Sequence, residues 1–342
     1  MTGYERIKAA LAGKMPDKTP IMLHNFMMAV NEAGYTMEQY RNNPKVIAEC
    51  FIRAVEKYQY DGIVVDIDTV TLAGACGVKV DFPKTEPARS HTGILSSLTE
   101  LDKLKPVNVQ SYQYANIWCE AVSLLKTHFK NEIYIRGNCD QAPFSLATMI
   151  RGVENMMMDL CLEEESAVFE LLDYCYEATS QFIKMMVEAG ADMVSNGDSP
   201  AGPSMLSPDM YKKFALPYEK KVCEYAHQSG VPYLLHICGN TDIIIDQMLT
   251  CKADVLELDY KTNINRAEEK MRGKTVFAGN IDPAGVLAFG TPELVKEKTV
   301  ELLSVFKGNP RFILNAGCAI PSTTPAENLF TMILTAREQY II

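Results

Sequence analysis

Two side chains that can bind a metal ion, His236 and Cys238, stand two positions apart in the chain. The apolar run that contains them lies between Pro232 and Gly239, and it predicts a buried β-strand that ends in a turn. Because alternate strand residues point to the same side, the imidazole and the thiol should lie next to each other. Such a pair makes half of a zinc site. A buried cysteine beside a hydrogen-bonded core histidine is the alternative that the pair alone leaves open.

A third candidate ligand, Cys318, follows the last predicted strand. With His236 and Cys238 it would complete a set of three protein ligands. Three ligands leave a fourth position open, which is typical of catalytic rather than structural zinc. Glu257 or Asp259, at the end of the sixth predicted strand, could fill that position when substrate is absent.

The elements that must position these ligands are short β-like runs that alternate with longer helical patterns. Strands are predicted at 20–25, 62–68, 133–137, 192–196, 233–238, 255–259, 276–280 and 311–315, and helices at 2–12, 43–57, 115–129, 166–189 and 207–230, with two more beginning at 291 and 324. This alternation is typical of an α/β protein with a (β/α)8 TIM barrel. The expected barrel is a single domain over 1–342, with an N-terminal helix and an irregular insertion around 70–110 near its mouth. A doubly wound open sheet is the less favoured alternative, since no Gly-x-Gly-x-x-Gly turn follows a predicted strand.

Polar residues collect at the carboxyl ends of the predicted strands, where a TIM barrel carries its active site. Any one of them could be a cap or a turn residue, but the same pattern at all the strand ends favours a functional site. The candidate catalytic residues are His24, Asp66 and Asp259, the candidate cofactor-binding residues are Asn138, Asn196, Asp198 and Asn280, and the candidate metal ligands are His236, Cys238 and Cys318.

Composition narrows the class of protein further. The 342 residues are 47% hydrophobic and 22% charged, with a net charge of -10, which argues against a surface for nucleic acid or for an anionic membrane. No signal-peptide pattern and no apolar run of membrane-spanning length is recognisable, so a cytoplasmic protein is expected. The ten cysteines have no regular spacing, and most are expected to be small buried residues in a reducing compartment. Together with eighteen methionines they suit an anaerobic organism.

The segments His236–Asn240 and Gly317–Pro321 resemble the His-x-Cys…Cys zinc motif of cobamide-dependent methyltransferases in the uroporphyrinogen decarboxylase superfamily. Further similar stretches at 190–192, 198–208, 216–218, 279–283 and 324–328 spread the resemblance over nearly the whole chain. The resemblance implies a (β/α)8 barrel that uses zinc, together with cobalamin or a related corrinoid carried by a partner corrinoid protein. A homodimer is left open.

Within this branch of the superfamily the resemblance implies one of two roles. The enzyme could move a methyl group from a small methylated donor to cob(I)alamin, or from a methylated corrinoid to a thiol such as coenzyme M. We favour the first role, O-demethylation of a methoxylated compound, because Phe26, Met27 and the insertion at 70–110 could wall an apolar pocket. His24 or a carboxylate could then assist the leaving oxygen by proton donation.

The second role would need an anchor for the anionic tail of the thiol, for which Arg136 and Lys261 are candidates. Porphyrinogen decarboxylation is disfavoured, because residues 23–28 contain no arginine to clamp substrate carboxylates. A non-catalytic corrinoid-docking barrel is the remaining alternative, and it would need a closed site of four ligands.

Overall fold

The computed structural model describes residues 1–338. Eight parallel strands pair in chain order around a barrel. They are β1 Met22–Leu23, β2 Gly62–Val65, β3 Tyr134–Gln141, β4 Met193–Gly197, β5 Tyr233–Ile237, β6 Val255–Leu258, β7 Val276–Ile281 and β8 Phe312–Ala316. A parallel bridge between Ile21 and Leu314 closes the ring from β8 to β1. The predicted (β/α)8 barrel is therefore confirmed.

Helices surround the strands in the order expected for this fold. The α-helices are α1 Gly3–Leu11, α2 Phe26–Glu32, α3 Met37–Arg41, α4 Pro44–Tyr58, α5 Thr71–Ala75, α6 Gln113–Phe129, α7 Pro143–Arg151, α8 Val153–Leu162, α9 Glu165–Glu188, α10 Pro208–Met210, α11 Leu216–Gln228, α12 Ile245–Met248, α13 Ile264–Met271, α14 Pro292–Val305 and α15 Ala326–Glu338. Several begin as the sequence predicts: Asn43 and Thr291 cap α4 and α14, and each is followed by a proline in the first turn. Among residues 1–338 there is no helix long and apolar enough to cross a membrane.

The bottom of the barrel interior is apolar and closed. Each strand contributes one or two inward side chains to a buried cluster, and Ile7 and Ala10 of α1 pack against it from below; the strand members are Met22, Val64, Tyr134, Met193, Leu234, Val255, Val276, Ala278 and Ile313. Thr2 and Glu5 form a capping box that starts α1. Because strand residues alternate between faces, positions two and four residues further along each strand also point inward, toward the mouth.

Three predicted strands differ from the structure in their extent, and one predicted helix is interrupted. The first two strands are shorter than 20–25 and 62–68, while β3 runs on to Gln141 with an irregular register to β4 after Asn138. The helix predicted over 207–230 is interrupted by a π-helical turn at Tyr211–Ala215. Pro217 explains this interruption, because a proline inside a helix has no backbone N–H to donate to the carbonyl one turn earlier.

The segment 70–110 is irregular, as predicted, but it contains short elements. These are α5, the antiparallel pair Val80–Asp81 with Arg89–Ser90, and 3-10 turns at Leu98–Lys103 and Val109–Ser111. Arg41 of α3 fastens the antiparallel pair by donating to the carbonyls of Pro83 and Glu86. The segment follows the carboxyl end of β2 and so begins at the mouth.

Candidate metal centre

His236, Cys238 and Cys318 come together at the carboxyl ends of β5 and β8. The Nε2 atom of His236 lies 3.0 Å from the Sγ atom of Cys238, which in turn lies 3.8 Å from the Sγ atom of Cys318. One ligand atom from each residue lies within 4.8 Å of the others, and all three side chains are partly exposed. One imidazole nitrogen and two sulfurs are the donors that zinc prefers, so these residues fit a zinc ion with a position open to substrate.

The orientation of the His236 ring is set by its second nitrogen. Nδ1 lies 3.1 Å from the backbone carbonyl of Glu257 and 3.5 Å from its Oε2 atom. An Nδ1–H donated to these oxygens leaves the Nε2 lone pair facing the two sulfurs, as a metal ligand requires.

The thiols of Cys238 and Cys318 differ in their pKa. A hydrogen bond from Cys318 and the nearby imidazole of His236 hold the pKa of Cys238 well below its usual range, against the opposing effect of burial. The same contact with Cys238, together with burial, raises the pKa of Cys318. The lowered pKa favours the thiolate form of Cys238, which is the form that binds metal ions.

A buried ion pair lies beside His236, the first of the candidate ligands. Arg136 of β3 donates to both carboxylate oxygens of Glu257 in β6, at 2.8 and 3.0 Å, and its Nε donates to the Ser195 hydroxyl at 2.8 Å. Asn315 of β8 donates to Glu257 Oε1 at 2.8 Å. Burial opposes ionisation of Glu257, but Arg136 and His236 outweigh it and lower the pKa of that carboxyl to about 2. The pair places a fixed carboxylate beside His236.

The turn that carries Cys238 is held by Asp259. Its Oδ2 accepts the Gly239 amide and its Oδ1 the Lys261 amide, each at 2.9 Å. The Ser199 hydroxyl accepts the Cys238 amide at 3.4 Å. Gly239 has a φ of +87°, a conformation that glycine adopts without strain. Asp259, predicted as catalytic or as a fourth ligand, thus has both oxygens engaged by the metal-site loops.

His24 and Asp66, the other two predicted catalytic residues, are hydrogen-bonded to each other. His24 Nε2 lies 2.6 Å from Asp66 Oδ2. The backbone amide of His24 donates to Asn315 Oδ1 at 3.2 Å, which ties this pair to the polar layer around Glu257. Phe26, predicted to line a pocket, instead stacks on His24 at 5.7 Å between ring centres and is buried. Met27 does line a surface cavity of about 290 Å³ beside Pro87.

The four predicted cofactor-binding residues divide into two groups. Asn138 accepts the Ser195 hydroxyl at 3.2 Å in the polar layer, and Asn280 donates to the Asp259 carbonyl at 3.1 Å. Asn196 and Asp198 are fully buried. Asn196 donates to the carbonyls of Cys139 and Gln141, and Asp198 accepts the amide and hydroxyl of Ser145. In this structure these two hold the fold rather than present surface to a ligand.

For three polar residues near the site, the sequence predicted either no role or a different role. Arg136 and Glu257 are charged residues inside otherwise apolar strands, and that mismatch was the available signal of an internal ion pair. Asp140 is buried, and its Oδ2 accepts the Leu72 amide at the start of α5 at 2.7 Å. Its φ of +59° lies in the irregular end of β3, which no sequence motif marked.

Comparison with known proteins places this barrel in a family. Residues 2–339 match the uroporphyrinogen decarboxylase (URO-D) family, and the chain belongs to it. The methylcobamide:CoM methyltransferase MtbA of Methanosarcina acetivorans is 29% identical over 346 residues, covering 98% of this chain and 99% of that protein. The protein of the same name from Methanosarcina mazei is 32% identical over 262 residues, covering 77% and 74%. A uroporphyrinogen decarboxylase of Prochlorococcus marinus is 26% identical over 340 residues, covering 93% and 92%.

Solved structures agree on the fold. A methyltransferase from Methanosarcina mazei superposes with a TM-score of 0.91 at 22% identity and full coverage of both chains. A B12-independent methionine synthase from Shewanella sp. superposes with a TM-score of 0.54 at 12% identity, covering 86% of this chain and 87% of that one. The predicted superfamily is confirmed, and the two Methanosarcina relatives confirm the prediction that the chain is a methyltransferase.

Proposed function

We propose that this enzyme is a zinc- and corrinoid-dependent methyltransferase that moves a methyl group from a small methoxylated donor to cob(I)alamin carried by a partner corrinoid protein in the cytoplasm. The observation that carries the proposal is the cluster of His236, Cys238 and Cys318 at the mouth of the barrel. These three residues would hold the zinc ion. When bound, zinc supplies Lewis acidity toward an ether oxygen, or keeps a thiol deprotonated at neutral pH.

The residues around the cluster keep it in a fixed arrangement. Glu257 holds the Nδ1 proton of His236, and Arg136 keeps that carboxylate ionised and in place. Asp259 fixes the loop that carries Cys238. Because these supports are buried, the ligands need little rearrangement when a metal ion and a substrate arrive.

His24 is suited to hold a proton for the leaving oxygen. The Nε2 atom of His24 contacts Asp66, while the Nδ1 atom of His24 has no hydrogen-bond partner among the described residues. Nδ1 is therefore the ring nitrogen left to face a substrate, and it could pass a proton to the alkoxide or phenolate as the methyl group departs.

The charges at the mouth favour a neutral ether over an anionic substrate. Arg136 is neutralised by Glu257, and both terminal nitrogens of Arg41 are taken by backbone carbonyls. Neither guanidinium is therefore available to bind an anionic tail, and Asp66 and Asp68 add two buried carboxyl groups directly after β2.

Transfer from a methylated corrinoid to a thiol is the second candidate. The two Methanosarcina relatives, whose names specify methylcobamide:CoM methyltransferase, favour it. Lys261, on the rim of the mouth, is the residue that could then contact an anionic tail.

An assay in both directions separates the candidates. Purified zinc-loaded enzyme is mixed with cob(I)alamin and a panel of methoxylated aromatic and alkyl ethers, and in parallel with methylcobalamin and coenzyme M or homocysteine. Methylcobalamin formation from an ether supports the proposal, whereas activity only with methylcobalamin and a thiol supports the second candidate. His24→Gln should slow demethylation of ethers with poor leaving groups more than that of aryl ethers, and Gln228→Ala, on an outer helix, is the matched control. Inactivity in both directions with zinc bound would overturn both.

A further inference from the structure

Exposed apolar side chains recur on one arc of the barrel mouth, and the connection after β2 carries two more, Phe82 and Ile94. Each of four successive connections between a strand and the following helix carries one large exposed apolar residue: Met205 after β4, Ile243 after β5, Tyr260 after β6 and Phe289 after β7. Phe289 is 82% exposed and Ile243 60% exposed. We call these four residues the apolar arc. Large side chains left in water at such exposure are typical of a binding surface when they lie together on one face.

The arc is also poor in charge. Its four connections, 198–207, 238–244, 259–263 and 282–291, contain five charged residues, and Asp198 and Asp259 among them are buried. That leaves Asp242, Lys261 and Asp282 at the surface. The connection after β2, by contrast, carries charged residues along most of its length. Methionine and aromatic residues with few charges are the composition of the centre of a protein–protein interface.

A groove of about 610 Å³ adjoins the arc, between the connections after β6 and β7. Asn240, Tyr260, Asn263, Asn280 and Val286 are among the residues that line it. Apolar anchors beside a polar groove would let a partner bury side chains and also pair its backbone groups.

We propose that the apolar arc is the docking surface for the corrinoid-carrying protein. The inference rests on the proposed function, because methyl transfer requires the corrin to reach the partly exposed His236, Cys238 and Cys318 while still attached to its carrier. The arc flanks this site on the β4–β7 side, so a carrier seated there would hold its corrin over the open mouth. A membrane is a poor occupant, since the chain carries a net charge of -10.

The test compares free cobalamin with a purified cobalamin-loaded corrinoid protein of the Asp-x-His-x-x-Gly type as the methyl acceptor. Ile243→Ser and Phe289→Ser should each lower kcat/KM with the corrinoid protein by about tenfold, and the double variant by more. Rates with free cobalamin should stay within about twofold of wild type. Leu334→Ser, on the outer helix α15 and 55% exposed, is the matched control and should change neither rate.

The possible outcomes separate this proposal from the proposed function. A wild-type enzyme inactive with both acceptors contradicts the function itself. An active wild type whose arc variants behave normally, or lose both rates equally, contradicts only the docking surface. So does a wild type that uses free cobalamin but not the protein-bound form. If sedimentation velocity shows a wild-type dimer that the arc variants convert to monomer, a second copy of the chain occupies the arc and the proposal fails.

Discussion

The imidazole of His236 is held in place by a chain of buried contacts that extends across the barrel. Its Nδ1 faces Glu257, which is paired with Arg136, which in turn contacts Ser195. A carboxylate behind a ligating imidazole fixes the ring and strengthens its ligand nitrogen. The arrangement therefore prepares Nε2 for a metal ion before one binds.

One zinc ion per chain is expected, bound by His236, Cys238 and Cys318. Cys238→Ala should abolish stoichiometric zinc and activity together, while the metal-free variant should unfold within a few degrees of metal-free wild type, because the ligands lie at the mouth and not in the core. Metal analysis and thermal unfolding measure the two effects. Cys161→Ala, which removes an exposed cysteine from α8, should keep the zinc. Full zinc and full turnover in Cys238→Ala would show that the ligands are misassigned.

Arg136→Met should destabilise the fold strongly, because it leaves the Glu257 carboxylate buried without its counter-charge. The expected loss of unfolding free energy is about 3–5 kcal/mol, measured by urea unfolding. Since the pKa of Glu257 is lowered from 4.5 to about 2, its pairing stabilises wild type above about pH 4.5 and the effect fades as the pH falls toward 2.

Arg53→Met is the control for this change, because Arg53 forms an exposed ion pair with Glu49 and its loss should cost less than about 1 kcal/mol. A second variant, Arg136→Met with Glu257→Met, should recover much of the lost stability, since apolar residues can replace a buried pair. A loss below about 1 kcal/mol for Arg136→Met alone would mean that Glu257 is solvated or protonated in the folded enzyme.

At the scale of elements, the short helix α5 depends on two buried carboxylates at its start. Asp68 Oδ1 accepts the amides of Val70 and Thr71 and the Thr71 hydroxyl, and Asp140 accepts the Leu72 amide. These bonds satisfy amides that the first turn of a helix leaves free. Burial, partly opposed by these bonds, raises the pKa of Asp68 to about 6.

This raised pKa predicts a pH dependence of stability. Between about pH 4 and pH 6 the folded chain keeps a proton on Asp68 that the unfolded chain has lost, so the free energy of unfolding should fall as the pH rises through this window. The fall attributable to Asp68 is on the order of 2 kcal/mol. In Asp68→Asn the slope should flatten, because an asparagine Oδ1 keeps the same acceptor role without titrating. Thermal unfolding measured every half pH unit checks this, and an unchanged slope in Asp68→Asn would assign the effect to other groups.

The regular elements could be predicted from the sequence because their signals are local. The eight apolar runs, the Asn43 and Thr291 caps and the glycine after α9 each depend on a few neighbouring residues. The π-helical turn at Tyr211–Ala215 was missed because the 207–230 pattern is amphipathic throughout, although Pro217 marked the position. The irregular end of β3 depends on Asn196, which contacts Cys139 and Gln141 from another strand. Such contacts between distant residues leave no periodic signal.

The candidate site was predictable to a different degree. His236 and Cys238 could be predicted as metal ligands from their spacing on one strand. Cys318 could be predicted from its place after the last strand. The burial of Asn196 and Asp198 could not be foreseen, because a strand-end position does not reveal whether a side chain points to the mouth or back into the fold. The buried Arg136–Glu257 pair joins strands that are far apart in the sequence, so only the closed barrel brings the two charges together.

At the scale of the whole molecule, the interior of the barrel is filled from the bottom to the candidate metal ligands. The lowest layer is apolar and is closed by α1. Above it, two positions further along the strands, lies the polar layer of Arg136, Ser195, Glu257 and Asn315. His236, the register partner of Glu257, lies level with this layer, and Cys238 lies two positions further along β5. This order leaves the mouth as the place where a large cofactor can approach.

The enzyme should therefore carry no tightly held corrin of its own. A corrin ring cannot enter the filled interior, and the described strands and helices are accounted for by the barrel and its connections. Purified protein should be colourless by visible absorption and should contain less than about one-tenth of a cobalt atom per chain, while methyl transfer should require added cobalamin or corrinoid protein. Zinc measured in the same sample is the control, because retained zinc shows that purification does not strip metals. Cobalt that co-purifies at one atom per chain, with the absorption of a bound corrin, would mean that the mouth holds the cofactor permanently and that no carrier has to dock.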